Sequence, residues 1–254
     1  MTKPSFEEEL QKNLPIIRRL NNLFLFSKKI IIKGHENFIK KGPNIIVGNH
    51  IGSFKDISTM FEIIPRAIFF TANQAIFDKD EFDDLIRDYL RNQLKNFGLF
   101  LDFVFSPIKS RFVNYVSTNI ARVGSIPVDL SNRKSLALKI CQDYLRDGKA
   151  IVTLQGRGRI GKNIPNPYVS PFRRGPSLLS YKLYKDEDIC IPVTPIAIFG
   201  THMPVIVPGK IKVNVGEPMY VTDYLADGSK ESMDNFTQAM EKKMNSLILE
   251  LIRS

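Results

Sequence analysis

Short β-branched and apolar runs recur along this chain with helical stretches between them, and that alternation limits the folds open to it. Ile30–Ile32, Asn44–Val47, Ala67–Thr71, Ser125–Val128, Ala150–Leu154, Ile191–Phe199 and Lys210–Val215 have the length and character of buried strands. Between the second and third, Phe54, Ile57, Phe61 and Ile64 recur at helical spacing, which predicts a helix with Ser53 as its N-cap. Further helices are expected over Phe82–Phe105, Pro107–Ala121, Arg133–Arg146, Pro176–Tyr184 and Glu231–Ile252. The pattern predicts an α/β fold: a mixed, largely parallel central sheet flanked by helices. Pro15–Lys29 mixes apolar Ile16, Ile17, Leu20, Leu23 and Phe24 with Arg18, Arg19, Lys28 and Lys29, as an amphipathic helix does. Residues 1–29 are thus expected to form an N-terminal helical segment that contacts a membrane, and residues 30–254 one domain.

With 254 residues, 43% hydrophobic and 24% charged, the chain suits a globular domain better than a disordered segment or a membrane bundle. No apolar run reaches the roughly 18 to 20 residues of a spanning helix. Cys141 and Cys190 lie in apolar stretches without zinc spacing, which suggests a reducing compartment. Glu7, Glu8 and Glu9 do not suit a secretory leader, so a cytoplasmic location is expected. The net charge of +10 is concentrated in Ser106–Gly175, with thirteen Lys/Arg against three Asp/Glu. Such an excess attracts polyanions: nucleic acid, an anionic lipid surface or a phosphorylated substrate. No reading-helix or stacking-sheet motif accompanies it, so nucleic acid is not expected.

Chemistry concentrates in Asn49-His50-Ile51-Gly52-Ser53-Phe54-Lys55-Asp56, between a strand and a helix. A neutral imidazole accepts a proton from a hydroxyl, and a carboxylate on its other nitrogen fixes the tautomer and raises its basicity. The same residues also fit a surface histidine at a helix start, with Asp56 as a first-turn charge favoured by the helix dipole.

After the strand at Ala150–Leu154, Gly156, Arg157, Gly158 and Arg159 combine close backbone approach with forked donors matched to phosphate oxygens. His35 and His202 read as surface residues. Three scattered histidines without paired cysteines suggest no bound transition metal. Phe97, Phe100, Phe103 and Phe105 read either as core or as a lipid-facing surface, and no Gly-x-Ser-x-Gly elbow suggests a serine hydrolase.

Four segments, in order, resemble the blocks of the PlsC-like glycerol-3-phosphate and 1-acylglycerol-3-phosphate (lysophospholipid) acyltransferase family. Asn49, His50 and Asp56 resemble its Asn-His…Asp block, and Ile126-Pro127-Val128-Asp129-Leu130 its second block. Thr153-Leu154-Gln155-Gly156-Arg157-Gly158-Arg159 is similar to its Phe-Pro-Glu-Gly-Thr-Arg-Ser, and Pro171-Phe172-Arg173-Arg174-Gly175 to its Pro-Phe-Lys-Lys-Gly. Ile191-Pro192-Val193-Thr194-Pro195-Ile196-Ala197-Ile198 resembles the buried strand with a central proline.

There are three departures. Five residues, not four, separate His50 from Asp56, and Gly52 is expected to absorb the extra one. Leu130 replaces an arginine, with Arg133 one helical turn on. Gln155 replaces a glutamate.

The resemblance implies transfer of a fatty acyl group from acyl-CoA or acyl carrier protein, with no further cofactor, to a hydroxyl of a lysophospholipid or glycerol-phosphate acceptor in phospholipid biosynthesis. The protein would be peripheral at the cytoplasmic face of an anionic membrane. His50 and Asp56 would be catalytic, and Arg133, Gln155, Gly156, Arg157 and Arg159 would bind substrate. The departures leave a second reading open, a catalytically degenerate lipid- or membrane-binding relative.

Overall fold

The computed structural model describes residues 14, 15, 17–19, 21–88, 106–128, 134–205 and 207–254. They form a seven-stranded sheet of β1 (Lys28–Lys33), β2 (Asn44–His50), β3 (Ile68–Asn73), β4 (Ser125–Val128), β5 (Ala150–Gly156), β6 (Val193–Phe199) and β7 (Gly209–Val215). Its helices include α1 (Phe54–Ile63), α2 (Ser106–Asn119), α3 (Lys134–Arg146), α4 (Gly175–Glu187) and α5 (Ser229–Arg253), and residues 17–19, 21–24 and 79–88 are also helical. The strand order is β1-β7-β6-β2-β5-β3-β4. β1 with β7, β2 with β5 and β6, and β3 with β4 are parallel, while β6 and β7 run antiparallel. This is the mixed, mostly parallel α/β sheet that the strand-helix alternation predicts. Among the described residues no helix is long and apolar enough to cross a membrane.

The chain divides into two compact units, one containing Phe70–Ala137 and the other Pro15–Phe69 with Leu138–Ser254. In the first, β3 and β4 pair from Phe70↔Ser125 to Asn73↔Val128. Phe82 and Val113 are buried there, and Lys109 meets Asp83 at 2.9 Å. The phenylalanines at 97, 100, 103 and 105, together with Leu130 and Arg133, lie outside the described residues.

In the second unit β2 and β6 are buried along almost their whole length, as strands covered on both faces are. Pro195 fits inside β6 because the antiparallel ladder begins only at Ile196↔Val215, and its carbonyl still accepts from Gly216 N at 2.8 Å. Both β2 and β5 run beyond their apolar residues, continuing the ladder through Asn49↔Gln155 and His50↔Gly156. Their polar tails hide these last rungs from a reading based on hydrophobicity. At the opposite end, Arg66 joins the turns before β2 and β5 by donating to Gly42 O (2.7 Å) and Gly148 O (2.8 Å). Cys141 is buried in α3, where burial pushes its thiol up to about 12, whereas Cys190 is exposed.

Helix α5 closes this unit. Met240, Met244, Leu247, Ile248 and Leu251 lie at helical spacing on one face, and Met244, Leu247, Ile248 and Leu251 cluster with Val169 and Ala197. Met244→Ala therefore lowers the unfolding free energy by about 2–5 kcal/mol, whereas Leu249→Ala, at a 46% exposed position, changes it by about 0.5 kcal/mol or less. Urea denaturation of the two variants checks the pair.

Candidate active site

The sequence around His50 folds as a strand, a turn and a helix start at the carboxyl ends of β2 and β5, the edge where open α/β sheets place their ligand crevices. Asp56 lies in the first turn of α1 and is fully buried, and its Oδ2 stands 2.8 Å from His50 Nδ1. The same oxygen accepts from Ile51 N at 2.9 Å and Gly52 N at 2.7 Å. A carboxylate so held fixes the tautomer with the proton on Nδ1, leaving Nε2 as the acceptor. The His50 side chain keeps 21% exposure, so the ring is seated on a buried anion and open on its other side. This is the geometry of a general base.

The residue that absorbs the wide spacing is not Gly52. Ser53 takes φ +54°, ψ −124° at the N-cap position and makes no side-chain capping bond, so the turn is closed by an uncommon backbone conformation for a residue with a Cβ. Gly52 is small for another reason: a Cβ there would lie 2.4 Å from Thr201 Cβ. The loop after β6 packs directly against the amide that holds Asp56.

Two clamps fix this strand edge. Asn49, with no exposure, donates through Nδ2 to Tyr168 O (3.1 Å) and Ile198 O (2.9 Å), and its Oδ1 accepts from Ile198 N (2.7 Å). Gln155, also buried, accepts from Arg173 N at 3.0 Å and donates to Thr153 Oγ1 at 2.9 Å. Both ends of Gln155 are thus bonded within the protein. Its side chain holds a loop, where a substrate contact was expected from the sequence.

The Gly/Arg loop leaves β5 directly over the histidine. Gly156 has φ +137°, and a Cβ there would meet the His50 carbonyl at 2.7 Å. Gly158 has φ +70°, and its Cβ would lie 3.2 Å from His50 Nε2. Glycine at 156 lets the chain pass close to the His50 backbone, and glycine at 158 keeps a side chain away from the reactive nitrogen. Arg157 and Arg159 flank this spot and are exposed. Arg133 lies outside the described residues, so the structure does not place it.

The two other histidines differ from each other. His35 is exposed and lies 3.3 Å from Glu36, as the sequence suggests. His202 is not a surface residue: it is half-buried, with Tyr168 at 5.7 Å and Phe199 at 5.4 Å between ring centroids. Burial, then Lys55, holds its imidazole below the ordinary histidine range, with Lys28 adding to the effect and Asp56 opposing it. The only sequence signal for this was that Thr201 and His202 come just after an apolar strand; the pairing of that strand with β2 is a tertiary feature. Lys55 donates to the Met203 carbonyl, tying that loop to α1, and its ammonium is held low by burial and by Lys28. Among the described residues no group of three His, Cys, Asp or Glu is placed to hold a metal ion.

No protein-family model matches the sequence, and no curated protein does. Among solved structures, the chain is similar to the 1-acyl-sn-glycerophosphate (LPA) acyltransferase PlsC from Thermotoga maritima. The TM-score is 0.58 at 17% identity, over 99% of this chain and 85% of that one. The fold is that of a PlsC acyltransferase.

Asn49→Ala removes a clamp and leaves Ile198 N buried without its partner. It lowers the unfolding free energy by about 2–4 kcal/mol, at roughly 1–3 kcal/mol per orphaned group, as measured by chemical denaturation.

Proposed function

We propose that this protein is an O-acyltransferase that moves a fatty acyl group from an acyl thioester, acyl-CoA or acyl carrier protein, to a hydroxyl of a lysophospholipid or glycerol-phosphate acceptor. One observation carries the reading: a partly exposed imidazole whose Nδ1 is held at 2.8 Å by a fully buried carboxylate, at the carboxyl edge of a sheet with the PlsC fold. The intact pair favours an enzyme over a degenerate lipid-binding relative.

In this mechanism the acceptor hydroxyl donates its hydrogen bond to His50 Nε2. As its oxygen attacks the thioester carbonyl, the proton passes to Nε2, and Asp56 stabilises the resulting imidazolium. Backbone N–H groups of the Gly156–Gly158 loop stabilise the oxyanion. When the tetrahedral adduct collapses, the C–S bond breaks and the thiolate takes the proton from Nε2. No covalent acyl-enzyme forms.

Arg157 and Arg159, with Arg133, bind the acceptor phosphate through forked donors. Gln155 and Gly156 contribute indirectly, one by holding Arg173 N and the other by letting the loop pass close to His50.

A lipid acceptor implies work at a membrane surface. Leu23 and Phe26 are 61% and 64% exposed, close in sequence to the exposed cations Arg18, Arg19 and Lys29, which suits peripheral contact with an anionic cytoplasmic leaflet.

His50→Ala is expected to lower kcat by about 10²–10⁴-fold while leaving the fold intact, and Gly158→Val to lower activity by filling the space before Nε2. The assay is mass-spectrometric detection of acylated product from acyl-CoA and mixed lysophospholipids; undiminished turnover by His50→Ala would sink the assignment.

A further inference from the structure

Buried polar atoms without a hydrogen-bond partner are few in folded proteins, because each leaves roughly 1–3 kcal/mol of desolvation unreturned. Among the described residues these atoms are Asp56 Oδ1, Thr201 Oγ1, His202 Nδ1 and Ser180 Oγ. All but the last belong to one neighbourhood. Thr201 is fully buried, and a Cβ on Gly52 would lie 2.5 Å from its Oγ1, while the Gly52 amide donates to Asp56 Oδ2 at 2.7 Å. His202 follows directly, its ring against Tyr168 and Phe199. The Tyr168 carbonyl is in turn held by Asn49, the residue before His50.

We propose that His202, supported by Thr201, is a positioning residue for the His50–Asp56 pair, acting through the buried polar neighbourhood that its Nδ1 and Thr201 Oγ1 share with Asp56 Oδ1. The proposal rests on the acyl-transfer reading only for its kinetic consequences. Asp56 Oδ2 already serves His50 Nδ1, Ile51 N and Gly52 N, whereas Oδ1, like Thr201 Oγ1 and His202 Nδ1, is buried without a hydrogen-bond partner, so the charge state of its polar neighbours bears on the carboxylate. A polar but uncharged neighbour leaves the negative charge with His50. A protonated one competes for that charge and weakens His50 as a base.

The charged groups whose electrostatic influence reaches His202 are Lys55 and Asp56 from α1 and Lys28 from β1. Tyr168 and Phe199 supply the uncharged rings. Burial and the two lysines favour the neutral imidazole, and Asp56 opposes them. His202 is therefore neutral near pH 7 and gains its proton only as pH falls below the ordinary histidine range. Coupling between two protonation sites is mutual: if Asp56 raises the proton affinity of His202, the proton on His202 must act back on the pair.

One test needs no activity. With only three histidines in the chain, NMR titration of the imidazole rings follows His202 directly in the full-length protein and in Asp56→Asn. The expected result is a midpoint for His202 below the ordinary range that moves lower still in the variant. An unmoved midpoint overturns the proposal.

The second test compares His202→Asn, which keeps a polar amide near the Nδ1 position, with His202→Leu, using palmitoyl-CoA and lysophosphatidic acid. Leu is expected to lower kcat about tenfold with KM within about twofold, and Asn to restore most of it. The acid limb of log(kcat/KM) should steepen to a slope of about 2 in wild type and stay near 1 in the Asn variant. Equal kcat in the two variants, with the wild-type slope retained, also overturns it. If the wild-type protein transfers no acyl group to any acceptor, the functional reading fails and the titration alone decides this proposal.

Discussion

A carboxylate with no exposure to water governs the shape of the site. An isolated ionised Asp56 in a protein interior would be strongly unfavourable, and here its Oδ2 is offset by two backbone amides and an imidazole. Meeting all of them with one oxygen draws Ile51 and Gly52 around the side chain and sets where α1 begins. The positive φ of Ser53 and the close packing of Gly52 against Thr201 follow from that demand. So does the orientation of His50, whose outer nitrogen can point only away from the anion.

A second constraint is the row of side chains one residue before the strand ends. Asn49 and Gln155 are partners in the β2–β5 register, and each reaches out to backbone of the segment between β5 and α4, Tyr168 O for one and Arg173 N for the other. Gln155 uses an acceptor and a donor at once. The Thr153 hydroxyl and Arg173 N could be met by a carboxylate as well, so the glutamine found where the resembled block has glutamate keeps these bonds without placing a charge in a buried position. The departure is accommodated as local structure.

The sheet was legible because parallel strands buried on both faces are written as unbroken apolar runs: Ile45-Ile46-Val47 and Ile196-Ala197-Ile198 need no context to be recognised. The His50–Asp56 pair was legible from chemistry and order. What escaped was whatever depends on tertiary neighbours. His202 looks like any histidine past a strand, and only the pairing of β6 with β2 brings its loop beside α1. Gly52 looked like the flexible residue of the turn, yet its conformation is ordinary and its smallness serves Thr201. Spacing alone cannot separate a glycine needed for φ from one needed for room.

The Gly/Arg loop shows the same distinction with a functional consequence. Aligned with Gly-Thr-Arg-Ser of the resembled block, this chain has Gly156-Arg157-Gly158-Arg159, so a glycine stands where the block has its arginine. The structure gives that change a reason: the position lies against His50 Nε2, where even a methyl group would sit 3.2 Å away. The cations stand on either side, exposed at 157 and 159, and no side chain from position 158 covers the nitrogen. Under the proposed acyl transfer, an acceptor phosphate bound by these two arginines would be held from residues on either side of Gly158, and the acceptors used would follow the distance between phosphate and hydroxyl more than the bulk of the group next to the hydroxyl.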